Sequence, residues 1–173
     1  GGPGSGLYMS KDKGENWSKI KGSGLPKLPW GKIAVGIAPS NSKRIYALIE
    51  TAQHDFDGVL FRSDNGGKNW KKISHDQELT QRPHYYSRLT ISPVDDEEVY
   101  FMAHGVHKTT DGGKGLARVG GIGGDDHEMW IDPLNPDRLI VANDAGINIS
   151  LNRGKSWHSP QLPTGQMYHV ATD

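Results

Sequence analysis

Four segments of the chain, MSKDKGENW, RSDNGGKNW, KTTDGGKGL and ISLNRGKSW, share one frame, and this repetition constrains the fold more than any other feature. In that frame Ser10, Ser63, Thr109 and Ser150 align, followed by Asp12, Asn65, Asp111 and Asn152. Gly14, Gly67, Gly113 and Gly154 come next, and then Trp17, Trp70, Leu116 and Trp157. The pattern is [ST]x[DN]xGxx[WL], and its first residues lie 53, 46 and 41 positions apart (10 to 63 to 109 to 150). A short Asp or Asn side chain accepts hydrogen bonds from the backbone N–H groups of its own turn, and the glycine takes a positive φ. The motif therefore reads as a hairpin closure, with the hydroxyl tying the turn to its flank and the indole covering it with apolar area.

A second frame precedes the last three copies. IAVGIAPSNSKRIYALI, SRLTISPVDDEEVYFMA and HEMWIDPLNPDRLIVAN align Pro39, Pro93 and Pro133, and place Ile45, Val99 and Leu139 at one offset. Each unit is thus two alternating strands, a connection and a hairpin. With 23 glycines, 10 prolines and few long apolar runs, many short strands and tight turns are expected, an all-β architecture.

These motifs resemble the bacterial neuraminidase, or Asp-box, repeat of sialidases, sortilin-like receptors and xyloglucan-cleaving glycoside hydrolases. The run from Gly124 to Gly146 and the terminal MYHVATD resemble in particular the sortilin-like Asp-box proteins of bacteria. The resemblance covers essentially the whole chain and implies a β-propeller. A secreted or periplasmic setting is implied with it.

A propeller blade is a four-stranded antiparallel sheet, strand A innermost and strand D outermost. The expected architecture is a partial propeller: strands C and D of a first blade in residues 1–24, whole blades in 25–75, 76–120 and 121–160, and strand A of a fifth in 161–173. The first blade's pair is Leu7 to Ser10 and Trp17 to Ile20, and the fifth blade's strand is Tyr168 to Thr172. In blade four the outer strand is expected over Trp157 to Ser159. In blade three, Leu116 stands where the other boxes carry Trp, so its hairpin is expected to be the weakest.

Strand alternation puts the box turns on one face and the D-to-A and B-to-C loops on the other. The loop face is expected to gather Trp30, His75, His84, Tyr85, Tyr86, Asp125, Asp126, His127, Glu128, Gln166, Tyr168 and His169 from D-to-A loops. His54, Asp55, Asp57, His104, Asn143 and Asp144 come to it from B-to-C loops. Convergent aromatic and polar groups at a channel mouth form a default ligand site. Asp125 or Asp126 with Asp144 is the carboxylate pair that would serve a glycoside hydrolase, and adjacent strand residues point opposite ways, so at most two of the four from Asp125 to Glu128 share a direction.

Other chemistries fit less well. The spacing of His104 and His107, with His127 and Glu128 nearby, matches no familiar strand-borne metal site, and no cofactor is expected. The absence of cysteine excludes disulfides and thiolate metal sites. Sialidase chemistry needs several arginines clamping a carboxylate. Here only Arg82 and Arg88 fall near the loop face, and no Arg-Ile-Pro motif is present. Twenty basic and twenty acidic residues give no net field to collect nucleic acid or anionic lipid, and no run is long enough to span a membrane. The first residues, Gly1 to Gly6, lack the pattern of a signal peptide. The expectation is a binding or scaffolding module for a peptide or glycan, with a polysaccharide hydrolase as the alternative. Its unpaired edges are expected to be met by a second copy that completes the ring, or by the missing blades of a longer parent chain.

Overall fold

The computed structural model describes residues 1–51, 59–163 and 165–172. His54, Asp55, Asp57 and Asp173 lie outside the described residues. The strands fall into four antiparallel sheets. A two-stranded sheet holds β1 (Tyr8–Met9) and β2 (Ser18–Lys19). A four-stranded sheet follows in the order β3 (Trp30–Ala38), β4 (Asn41–Thr51), β5 (Val59–Ser63) and β6 (Lys71–Ser74). The next has β7 (Arg88–Ile91), β8 (Val99–Met102), β9 (Val106–Thr109) and β10 (Ala117–Arg118). The last has β11 (Asp126–Ile131), β12 (Leu139–Asn143) and β13 (Gly146–Ser150). This is the all-β, bladed architecture that the repeat implies.

The boxes close the hairpins as their chemistry requires. In each, the hydroxyl of Ser10, Ser63, Thr109 or Ser150 accepts from the backbone N–H of Gly14, Gly67, Gly113 or Gly154 at 2.7 to 2.9 Å. It also donates to Asp12, Asn65, Asp111 or Asn152. The Asp or Asn Oδ1 in turn accepts a backbone N–H four residues on, from Asn16, Asn69, Gly115 or Ser156, each at 2.9 Å. These bonds hold the Asp12 carboxyl down to about pKa 2, the backbone N–H of Asn16 being the largest cause, and lower that of Asp111 in the same way. The stabilisation they give is full above the ordinary carboxylate value and is lost as pH falls through the depressed one.

The turn also contains a feature hidden in the sequence: two consecutive left-handed residues. Lys13, Gly66, Gly112 and Arg153, just before the box glycine, have φ between 60° and 72°. Arg153 accepts that strained geometry while its guanidinium reaches Glu98 of the preceding blade at 2.9 Å. At Gly113 a side chain is excluded twice, by a φ of 97° and by Leu60, 2.6 Å from where a Cβ would stand.

The core lies between blades, not within them. Tyr46, Leu48 and Leu60 meet Ile91, Val99 and Phe101 between the second and third sheets. Leu7 meets Ile45, Phe61 and Trp70 between the first and second, and Tyr100 and Met102 meet Met129, Ile131 and Val141 between the third and fourth. A short 3-10 turn, Gln77–Thr80, drops Leu79 into the first of these clusters and is capped by the Asp76 side chain.

Two expected strands are reduced. The outer strand of the last blade is a single bridge between Ile149 and His158, and residues 168–172 form no ladder with another strand among the described residues. That terminal segment is anchored instead by the N–H groups of Met167, to the Asn143 carbonyl at 3.0 Å, and Val170, to the Glu128 carboxylate at 3.0 Å.

Asp111→Ala removes acceptors from Lys114 and Gly115 and should lower unfolding free energy by about 1 kcal/mol in denaturant titrations. Binding at the opposite face should be unchanged. The β9–β10 hairpin, capped by half-buried Leu116 and paired over only Lys108 with Ala117 and His107 with Arg118, should exchange its amides faster than β5–β6. Equal protection of the two hairpins contradicts this.

Candidate functional site

The register of the last sheet fixes which end of each blade does what. At one end Asp126 pairs with Asn143, and Asn143 with Gly146; at the other, Ile131 pairs with Leu139, and Leu139 with Ser150 of the box. The loop cluster and the box turns therefore occupy opposite ends of the strands.

At the loop end, residues from three connections form an aromatic stack. The His127 ring lies between Tyr168, 4.1 Å away between centroids and nearly parallel, and Tyr86, 5.7 Å away on the other flank. Tyr85 meets His127 edge-on at 5.5 Å, and its hydroxyl bonds to that of Tyr168. That contact is the largest cause pushing the Tyr168 hydroxyl up to about pKa 12. Arg82 places its guanidinium 5.7 Å from the rings of both Tyr85 and Tyr86, and His84 sits edge-on to Tyr85 at 6.5 Å. Tyr86 is buried, with its hydroxyl pKa raised by burial first and then by Asp125. Tyr85 and Tyr168 stay about 40% exposed, so the stack ends in two open faces.

Carboxylates surround the stack in two groups. Asp144 accepts or shares a hydrogen bond with His127 Nε2 at 2.8 Å, which orients the imidazole. Glu128 joins Arg88 at 3.1 Å through one oxygen and His169 at 3.1 Å through the other. Arg88 and Glu128 are 40 residues apart, the same interval as Pro93 and Pro133, so they hold equivalent positions on the inner strands of adjacent blades. Neither Arg82 nor Arg88 stands out as a site residue by type alone. The shared proline register is the sequence signal that points to Arg88.

Asp125 and Asp126 behave differently from each other. Asp125 takes a left-handed φ of 61°, and its Oδ1 lies 3.8 Å from His104 Nε2 on an exposed ring. Asp126 is fully buried; Asn143 Nδ2 donates to its Oδ1 at 3.2 Å, while its Oδ2 has no hydrogen-bond partner among the described residues. Burial pushes its pKa up to about 6. Strict alternation fails here because the pairing steps from Asp126–Asn143 to Glu128–Ala142, leaving His127 as the extra residue of a bulge. Bulges re-aim side chains, and both Asp126 and His127 turn inward as a result.

The remaining expected residues are distributed plainly. Trp30 is a core residue, 4% exposed, donating to the Pro26 carbonyl and packed with Leu7 and Ile49 away from the stack. Asn143 is buried and bridges Asp126 to Asn148, a supporting role beneath the surface. Among the described residues no group of three His, Asp or Glu side chains is placed to hold a metal ion.

Antiparallel blades packed face to face, each hairpin closed by an Asp box, with a loop cluster at the far end, define a β-propeller of Asp-box blades. Comparison with known proteins agrees. A BNR/Asp-box repeat family model matches residues 61–72. A xyloglucanase of Paenibacillus sp. is 33% identical over 125 residues, covering 72% of this chain and 10% of that protein. The GH74 xyloglucanase structure from Xanthomonas campestris superposes with a TM-score of 0.68 at 17% identity, covering 95% of this chain and 29% of that one. YCF48 bound to D1 peptide superposes at 0.59 with 11% identity, over 94% and 49% of the two chains. The chain is an Asp-box β-propeller related to glycoside hydrolases, and it spans about a tenth of the curated relative's length.

The raised Asp126 pKa fixes a sign. A carboxyl that is easier to protonate when folded contributes stability below its ordinary value near 4, and that contribution is lost as pH rises through about 6. Melting temperature should therefore fall as pH rises from about 4 to about 6 in the parent, and Asp126→Asn should flatten that fall. An unchanged slope in the variant contradicts the assignment.

Proposed function

We propose that the loop face is a carbohydrate-binding surface of a binding or scaffolding module. The observation that carries this reading is the stack of Tyr86, His127 and Tyr168 with Tyr85 set edge-on, ending in the two exposed tyrosine rings. Flat aromatic faces take up the apolar C–H faces of sugar rings, and flanking carboxylates and imidazoles accept and donate to hydroxyls. Asp144, Glu128 and His169 are the polar groups at that margin. The relation to a xyloglucanase selects xyloglucan oligosaccharides as the first ligands to try. A secreted or periplasmic setting, where polysaccharides are met, accords with this reading.

A second reading, a polysaccharide hydrolase using Asp125 or Asp126 with Asp144, draws on one observation, the Asp126 pKa near 6. A general acid needs such a shift. It must also reach the glycosidic oxygen, and Asp126 is fully buried behind Asn143. Binding is therefore the better-supported reading.

Calorimetric titration with xyloglucan oligosaccharides should give saturable binding that Tyr168→Ala or Tyr85→Ala weakens about tenfold, the scale of one lost stacking contact. No binding to any glycan, or binding indifferent to both substitutions, rejects the reading. Release of reducing ends during incubation, abolished by Asp144→Asn, would favour the hydrolase instead.

A further inference from the structure

A strained turn sets the two adjacent tyrosines of the stack. In the connection between β6 and β7, Arg82 takes a φ of 49° and Ser87 one of 73°, so left-handed residues other than glycine bracket Tyr85 and Tyr86. That conformation is strained for a residue with a Cβ, and residues held in it cluster at ligand clamps and active sites. The Arg82 carbonyl accepts the N–H groups of Tyr85 at 2.8 Å and Tyr86 at 3.1 Å, which folds the chain back on itself. Its guanidinium comes to rest 5.7 Å from both ring centroids, and the two rings stand at 82° to each other, 5.2 Å apart. One residue thus shapes the turn with its backbone and, with its side chain, leaves a planar cation beside the exposed Tyr85 ring.

The charges around this turn are unevenly matched. The described carboxylates of the loop end have partners: Asp144 is bonded to His127 at 2.8 Å, and Glu128 takes Arg88 on one oxygen and both His169 and the Val170 N–H on the other. Asp125 faces His104 at 3.8 Å, and Asp126 lies buried against Asn143. The cations keep capacity to spare. Arg82 is exposed, and its guanidinium makes no ion pair or hydrogen bond with any described residue, only the contacts to the two rings. Arg88 engages its neighbours through Nη1 alone, leaving Nε and Nη2 without a partner among the described residues. A guanidinium offers donors and no acceptor, so what this face still lacks is an acceptor. A carboxylate matches the guanidinium fork in both shape and charge.

We propose, building on the carbohydrate reading of the loop face, that the sugar it selects is a uronic acid, its ring on the exposed Tyr85 and its carboxylate paired with the Arg82 guanidinium. A uronate bears its carboxylate directly on a ring carbon, at the rim of the pyranose, so the C–H face stays free to lie on a tyrosine. Arg82, 5.7 Å from the Tyr85 centroid, is within one sugar's breadth of a pyranose resting there. The same guanidinium, already held against two aromatic rings, gives up little further freedom when the carboxylate arrives. A neutral sugar meets the same platform without the charge-assisted pair and binds less tightly, so Arg82 sets the preference.

Calorimetric titration of the whole chain with an oligoglucuronate and with its methyl ester isolates the charge, since the two share every ring. The acid should bind about tenfold more tightly than the ester, the scale of one hydrogen bond to a charged group. Added salt should weaken binding of the acid and leave that of the ester unchanged. Arg82→Gln should bring acid and ester to equal affinity, and Arg82→Lys should keep part of the preference together with its salt dependence. The salt series on the parent needs no variant, so the test survives an Arg82→Gln that disturbs the tyrosine turn. Equal binding of acid and ester by the parent, or a preference that outlives Arg82→Gln, overturns the proposal and leaves the carbohydrate reading in place. An oligoglutamate that binds as tightly as the oligoglucuronate overturns the sugar as the ligand class. If acid, ester and xyloglucan oligosaccharide all fail to bind, the carbohydrate reading falls and the uronate with it.

Discussion

Everything in this molecule depends on the hydroxyl of the Asp box. Ser10, Ser63, Thr109 and Ser150 each accept the N–H of the box glycine and donate to the Asp or Asn two residues on, whose Oδ1 then holds the far side of the turn. Four turns of one geometry set the outer strand pair of every blade at the same place relative to the inner pair. The blades can then stack with their apolar faces in register, which is where the core lies. Because the box is confined to one end of the strands, the other end is left to longer loops with few structural duties.

Those loops converge through the same register. Arg88 and Glu128 stand at equivalent positions on successive inner strands, so a charge on one blade meets its counter-charge on the next, and His169 of the terminal segment reaches the other oxygen of Glu128. The aromatic stack sits beside that chain and is built from one loop per blade, with the terminal segment supplying Tyr168. A site assembled in this way needs its blade interfaces intact, because a shift of one blade moves a single member of the stack.

Much of the architecture was legible in the sequence, since the boxes and the aligned prolines state the period, the strand order and the face of each loop. Some features were not. Lys13 and Arg153 do not advertise a left-handed residue as Gly66 and Gly112 do, so the paired left-handed turn was visible in only two of four copies. The bulge at His127 leaves no mark in residue type, and it overturns the alternation that separates Asp126 from His127. Trp30 illustrates a different failure. A tryptophan at the start of an inner strand suits either a ligand face or a core, and here Leu7 and Ile49 enclose it. Residues 168–172, expected as a strand without a hairpin partner, carry no ladder, because a strand's hydrogen bonds depend on a neighbour that its own residues do not supply.

The central claim is a division of labour: box turns hold the blades, and the opposite loop end takes the ligand. Nitrogen-15 correlation spectra recorded while a xyloglucan oligosaccharide is added test this most directly. Progressive shifts are expected, confined to residues such as Tyr85, His127, Glu128, Asp144 and Tyr168, with the amides of Gly14, Gly67, Gly113 and Gly154 unmoved. Shifts centred on the box turns, with the loop end silent, would contradict it.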